Sequence, residues 1–91
     1  MLEEIKKLQG INHNEFDSII QNYIDSAKKD LKSIDIVDTK VSENDSLIRT
    51  AIITYVLSFL DVNYSELHKS SYLLQKDQLR YISEYIVEEN E

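Results

Sequence analysis

The two histidines are the residues best suited to acid–base or metal chemistry in this sequence. His13 and His68 do not form an H-E-x-x-H arrangement, the spacing that places two imidazoles on one helix face toward a zinc ion. The chain contains no cysteine, which excludes thiolate ligands and disulfides. We therefore expect neither histidine to be catalytic or to bind a metal, and we expect no cofactor.

Neighbouring carboxylates are the next candidates, for acid–base catalysis or cation binding. The three pairs are Glu15 with Asp17, Asp35 with Asp38, and Glu88 with Glu89. A catalytic pair needs one buried member, because burial separates the two pKa values. These pairs fall at a predicted helix start, in a connecting segment and in the C-terminal tail, where water screens them. Solvated charge is the simpler interpretation.

The sequence lacks the features that nucleophilic catalysis and phosphate binding require. A phosphate-binding loop needs several glycines, and Gly10 is the sole glycine. Ser70 and Ser71 fall inside a predicted helix, without a partnered base or an oxyanion site. The sequence therefore predicts that the protein is not an enzyme.

Composition favours one small helical domain covering residues 1–91. The 91 residues are 42% hydrophobic and 30% charged, with no proline and a single glycine, so turns are few and helices long. The net charge of −7 disfavours electrostatic binding to duplex DNA. The longest apolar stretch, 51–60, is far short of the roughly 20 residues that span a bilayer. We expect no signal peptide, no membrane contact, and a soluble protein made in the cytoplasm.

Hydrophobic spacing predicts an all-α fold: a small bundle with a short N-terminal helix, two longer helices and a long C-terminal helix. The short helix ends at Gly10 in a left-handed cap. The other helices are predicted at about 14–33, 46–61 and 65–87, begun respectively by Asn12 or Asn14, by Asn44 or Asp45, and by Ser65. Between them lie a connector at 33–45, in which a short extended piece is expected, and a loop at 61–64. An acidic, flexible tail follows at about 88–91.

Two features of the last helices point to binding rather than catalysis. Four tyrosines, beside a central helix that is apolar nearly all round, exceed what a chain this short is expected to cover, which favours oligomerisation. They are Tyr55, Tyr72, Tyr81 and Tyr85. A basic stripe of Lys69, Lys76 and Arg80 shares one helix face. It is either a solvated face paired with Asp77 or Glu84, or a contact for an acidic partner or a nucleic-acid backbone.

The order of these segments resembles the head–tail connector, or head-completion, proteins of long-tailed bacteriophages and prophages. The opening reads MLEEIKKL, GINHN and EFDSII over 1–8, 10–14 and 15–20, and runs into IDSA at 24–27. The second shared segment is SLIRTAIITYV at 46–56, and the third is KSSYLL at 69–74, followed by Leu79 and Tyr85. The chain departs from the family pattern at 61–64, which lacks Gly and Pro, and in its acidic tail.

The resemblance implies a structural subunit that forms a ring of about twelve copies beneath the portal. Such a ring extends the DNA channel towards a downstream stopper or tail-completion protein at the head–tail interface of the virion. The expected core or ring-interface residues are Tyr55, Phe59, Tyr72, Tyr81 and Tyr85. The expected channel or intersubunit contacts are Lys69, Lys76 and Arg80. The alternative is a small acidic helical binding protein, either a DNA mimic or an inhibitor of a host factor.

Overall fold

The fold is that of a computed structural model, which describes residues 1–34 and 45–82. Within those residues the chain forms four helices and no strand. They are α1 (Leu2–Leu8), α2 (Asp17–Lys32), α3 (Ser46–Leu60) and α4 (Ser65–Arg80), with a 3-10 turn at Val62–Tyr64 between α3 and α4. The predicted all-α bundle is confirmed.

The core lies around α3, which packs against both α4 and α2. Helices α2 and α3 contribute buried apolar side chains at three- and four-residue spacing, α4 contributes two that lie seven positions apart, and α1 contributes one. The buried apolar residues are Ile5; Ile20, Ile24, Ala27 and Leu31; Ile48, Ala51, Ile52 and Val56; and Tyr72 and Leu79. This arrangement gives α3, the most apolar helix, cover on two sides.

The start of α3 follows the prediction. The Asp45 carboxylate accepts hydrogen bonds from the backbone N–H groups of Leu47 and Ile48, at 3.0 and 3.1 Å. These are two of the amides that the first turn of a helix leaves without a partner. Asp45, one of the two residues expected to cap α3, therefore does so.

The start of α2 differs from the prediction. The helix begins at Asp17, and neither Asn12 nor Asn14 caps it; the residue before the helix is Phe16, without a side-chain cap. The Asn14 side chain instead accepts a hydrogen bond from the Lys6 ammonium at 2.8 Å. Lys6 is almost fully buried and also pairs with Asp17 at 2.9 Å. A contact between α1 and α2 thus takes the oxygen that was expected to cap α2.

The boundaries of α4 also differ from the prediction. The Ser65 hydroxyl donates to the carbonyl of Ser58 at 2.8 Å rather than capping α4. The helix ends at Arg80 instead of near residue 87, and its final turn is tightened by an i→i+3 bond from Tyr81 N–H to the carbonyl of Gln78. Tyr85, the acidic tail and the predicted extended piece between 35 and 44 lie outside the described residues.

No single helix in the described ranges is both long and apolar enough to cross a bilayer. Among the described residues, only α3 and the following segment to Arg80, taken together, satisfy length and composition, and the two are bent by 107° relative to each other.

The end of α1 confirms the predicted left-handed backbone conformation of Gly10. Gly10 has φ +67°, its N–H bonds to the carbonyl of Lys7, and the N–H of Ile11 bonds to the carbonyl of Lys6 at 2.8 Å. This pair of bonds is the Schellman pattern that closes a helix C-terminus.

Substitution of Gly10 tests that closure. A Cβ at this position would meet no atom within 4 Å, so only the backbone conformation opposes a side chain. We expect Gly10→Ala to lower the free energy of unfolding by about 1–2 kcal/mol, measured by urea denaturation. Gly10→Asn should lose less, because asparagine tolerates left-handed backbone better. Equal losses for the two variants would contradict this explanation.

Candidate assembly surfaces

The two histidines have local structural partners. His68 Nε2 lies 3.0 Å from a carboxylate oxygen of Asp61, which joins α4 to the residue that ends α3. His13 Nδ1 accepts a hydrogen bond from the backbone N–H of Glu15 at 3.3 Å, and its ring meets the edge of Phe16. In the part of the chain that the structure describes, no three His, Asp or Glu side chains come together as metal ligands would.

An aromatic cluster joins α2, α3 and α4. The rings of Tyr23 and Phe59 stack with centroids 4.6 Å apart and an interplanar angle of 5°. Phe59 also packs against Tyr55 at 5.3 Å, and Tyr55 meets the edge of Tyr72 at 5.1 Å. The cluster runs from half-exposed Phe59 to buried Tyr72, so it belongs partly to the core and partly to the surface.

A polar clamp closes the buried end of this cluster. We use that name for Asp30, Tyr72 and Lys76, in which one carboxylate oxygen of Asp30 accepts from the Tyr72 phenol at 2.5 Å and from the Lys76 ammonium at 2.9 Å. Hydrogen bonds with a charged partner are shorter and stronger than neutral ones. The clamp therefore ties α2 to α4 across 42 and 46 positions of sequence.

The clamp perturbs the acidity of its members. Burial acts to raise the pKa of Asp30, but the hydrogen bonds from Tyr72 and Lys76, with the charge of Lys76, hold that pKa below its ordinary value. Burial, and then the hydrogen bond to Asp30, raises the pKa of the Tyr72 phenol. Burial and the nearby negative charge of Asp30 also raise the pKa of Tyr55. The stable state of the clamp is thus an ionised carboxylate held by a neutral phenol and an ammonium.

The three basic residues expected on one face have different surroundings. Lys76 is mostly buried, with its side chain 17% exposed, and is held in the clamp. Lys69 and Arg80 are more than half exposed and approach acids of the same helix, Glu66 at 4.0 Å and Asp77 at 3.9 Å. Lys69 and Arg80 therefore remain available to an external partner, whereas Lys76 is engaged within the chain.

The outer face of α4 carries several large exposed apolar side chains. Leu67, Leu74 and Tyr81 follow one another at seven-residue intervals and are 62, 67 and 84% exposed. Seven residues are close to two helical turns, so the three side chains form one line, with Leu73 beside it. Buried Tyr72 and Leu79 occupy the opposite face. We call Leu67, Leu73, Leu74 and Tyr81 the outer α4 stripe.

The sequence matches a known protein family. The family model described as phage connector protein matches residues 1–81. The chain belongs to this family. The matched range contains all four helices and ends one residue beyond α4. The search of curated proteins and the search of solved structures each return no match.

Membership confirms the resemblance found in the sequence. Phage connector proteins are structural components of virions, not a family of enzymes. The chain is therefore a structural protein of the connector type, and its candidate sites are contact surfaces.

The candidate surfaces and the clamp include a residue that the sequence analysis missed. Asp30 was not singled out, although it lies seven positions after Tyr23 on α2, so that both flank the apolar face of that helix. That spacing was the available signal. Of the expected aromatic residues, Tyr72 is buried, Tyr55 and Phe59 are partly exposed, Tyr81 is exposed on the outer α4 stripe, and Tyr85 lies outside the described residues.

Proposed function

We propose that the chain is a head–tail connector subunit that assembles into a ring of about twelve copies beneath the portal. The ring extends the DNA channel towards the tail and meets a stopper or tail-completion protein on its far side. The protein is made in the cytoplasm of the bacterial host and ends in the virion at the head–tail interface. The observation that carries the proposal is the family match through all four helices.

Ring formation requires two different surfaces on each subunit. A cyclic assembly with more than two copies joins one patch of a subunit to another patch of the next. The aromatic cluster offers one candidate patch, because Phe59 is 49% exposed while its stack on Tyr23 holds it in place. Aromatic side chains that are rigid before binding lose little entropy when a partner covers them. Tyr55 and Tyr72 support this patch from inside the subunit.

The charge of the chain suits a channel for DNA. A net charge of −7 repels the phosphate backbone, so a lumen lined by this protein lets DNA pass without adhering. Lys69 and Arg80 are exposed basic side chains on this acidic protein, and we assign them to contacts between subunits or at the channel.

The alternative of an acidic DNA mimic receives less support. A mimic presents a contiguous acidic face, whereas several carboxylates of this chain are paired with cations. The pairs are Glu4 with Arg49, Asp17 with Lys6, and Asp30 with Lys76.

Co-expression with the portal protein of the same phage genome tests the proposal. We expect the two proteins to co-purify and electron micrographs to display a ring of about twelve subunits on the portal. Phe59→Glu should prevent the ring, because it places a charge in the proposed contact. Val62→Glu is the matched control, since Val62 is 81% exposed in the turn after α3. Failure of the wild-type chain to bind the portal would overturn the proposal.

A further inference from the structure

The outer α4 stripe is unusual for the surface of a small soluble subunit. Leu67 and Leu74 on α4, with Tyr81 directly after the helix, extend over about 21 Å at 1.5 Å per residue. All three point away from the core, opposite Tyr72 and Leu79. Several large apolar side chains exposed in one line mark a binding site more often than singly scattered ones.

The charges beside the stripe identify what covers it. Along one edge of α4, Glu66 and Arg80 lie seven positions before and after Leu73. Lys69 and Asp77 lie four positions before and after the same residue. Each charge therefore has an opposite charge at the equivalent distance on the other side of Leu73.

This pattern is complementary to its own reverse. If a second copy of α4 lies antiparallel on the first, with Leu73 near the two-fold axis, Glu66 faces Arg80 of the second copy and Lys69 faces Asp77 of the second copy. A parallel arrangement brings opposite edges of the two helices together, so these four charges would not meet one another. Charges flanking an apolar helix seam set the orientation of pairing in this way.

The four charged side chains are free to make these contacts. Within the chain, Glu66 and Lys69 approach to only 4.0 Å, and Asp77 and Arg80 to only 3.9 Å. All four side chains are more than half exposed. Pairs this long and solvated contribute little, so exchanging them for contacts across an apolar seam costs little.

We propose that two copies of the chain pair through an antiparallel, two-fold contact of their outer α4 stripes. The contact is isologous, with the same patch on both copies, and is therefore different from the contacts that close a ring. It describes the protein before it joins a larger assembly: a dimer that keeps Leu67, Leu74 and Tyr81 covered. The inference does not depend on the ring.

Light scattering across a concentration series tests the dimer. The chain has a mass of 10.7 kDa, and we expect the wild type to have twice that mass at high concentration. Leu74→Glu should give a monomer. Val62→Glu is also a change from apolar to charged, but it lies in the turn before α4 and not on the stripe, and it should leave the dimer intact. Circular dichroism would verify that both variants are folded. A wild-type monomer at all concentrations, or a dimer unaffected by Leu74→Glu, would overturn the proposal.

Charge exchange tests the antiparallel orientation. Arg80→Glu and Glu66→Arg alone should each weaken the dimer by about tenfold, because two ion pairs become repulsions in each. The double variant Glu66→Arg/Arg80→Glu restores opposite charges in an antiparallel pair and should recover wild-type dimerisation. In a parallel pair these charges do not meet, so neither single variant would weaken the dimer and the double variant would have no loss to recover. That outcome would reject the orientation.

A single engineered cysteine locates the axis independently of energetics. Since the chain has no cysteine, Leu73→Cys reports only its distance to the same position in the second copy. We expect rapid disulfide formation under mild oxidation, at least tenfold faster than for the exposed α2 control Asn22→Cys. Equal rates for the two variants would contradict a two-fold axis near Leu73.

Discussion

Replacing Ile52 by alanine is expected to lower the free energy of unfolding by about 2–5 kcal/mol. Ile52 has no exposed surface and lies on α3, the helix that packs against both α2 and α4. The truncation removes three buried carbons and leaves a cavity that the surrounding helices fill only in part. Because small domains have roughly 5–15 kcal/mol of total stability, the variant should be close to unfolding at ordinary temperature. Urea denaturation followed by circular dichroism measures the change.

Ile19→Ala is the matched control for Ile52→Ala. The chemical deletion is the same, but Ile19 is 48% exposed on α2 and alanine has the higher helix propensity. We expect a change within about 0.5 kcal/mol. If both variants lost the same stability, burial around α3 would not be the source of the effect.

The second large effect concerns the polar clamp. Asp30→Ala should cost about 2–3 kcal/mol, because it leaves the Lys76 ammonium and the Tyr72 phenol without their common acceptor in a partly buried site. The same urea experiment measures it. Removing the cation as well, in Asp30→Ala/Lys76→Met, should recover part of the loss, since an uncompensated charge is the main penalty. A double variant as unstable as the sum of the two singles would show that the pair is not coupled.

The pH dependence of the clamp has a definite sign. The pKa of Asp30 is lower in the folded chain than its ordinary value, which is about 3.9. Its contribution is therefore fully present above pH 4 and is lost as the pH falls through the lower, folded pKa. The stability difference between the wild type and Asp30→Asn should be constant at neutral pH and shrink below about pH 4. A difference that grew on acidification would contradict the clamp.

Local signals in the sequence were sufficient for much of the fold. Asp45 caps α3 and Gly10 adopts the left-handed conformation because both depend on residues within a few positions of them. Apolar spacing likewise identified α2, where Ile20, Ile24, Ala27 and Leu31 are buried. The structure of each of these elements is determined by residues within a single helix or turn.

The errors arose where distant residues compete for the same polar atoms. Asn14 does not cap α2 because buried Lys6 of α1 takes its side-chain oxygen. Ser65 does not cap α4 because its hydroxyl reaches back seven positions to the carbonyl of Ser58. Neither contact has a signature in local propensity, since each depends on how the helices approach one another.

For the same reason, only part of the candidate surfaces could be predicted from the sequence. Lys69, Lys76 and Arg80 do share a side of α4, but helix geometry alone could not separate the lysine that meets Asp30 of α2 from the two cations that face water. The seven-residue spacing of Leu67, Leu74 and Tyr81 indicated the outer α4 stripe. Recognising it required knowing that Tyr72 and Leu79, not these three, face the core.

The aromatic cluster also gives the chain an intrinsic optical probe. With six tyrosines and no tryptophan, near-ultraviolet absorption and emission come almost entirely from phenol rings. Tyr23, Tyr55 and Tyr72 are held in fixed contacts at the junction of α2, α3 and α4. Near-ultraviolet dichroism therefore reports tertiary packing at that junction without a label. In an alkaline titration, buried Tyr72 should resist ionisation beyond the ordinary range of a phenol, because burial and the hydrogen bond to Asp30 raise its pKa. The same spectra can then follow the release of α4 from α2.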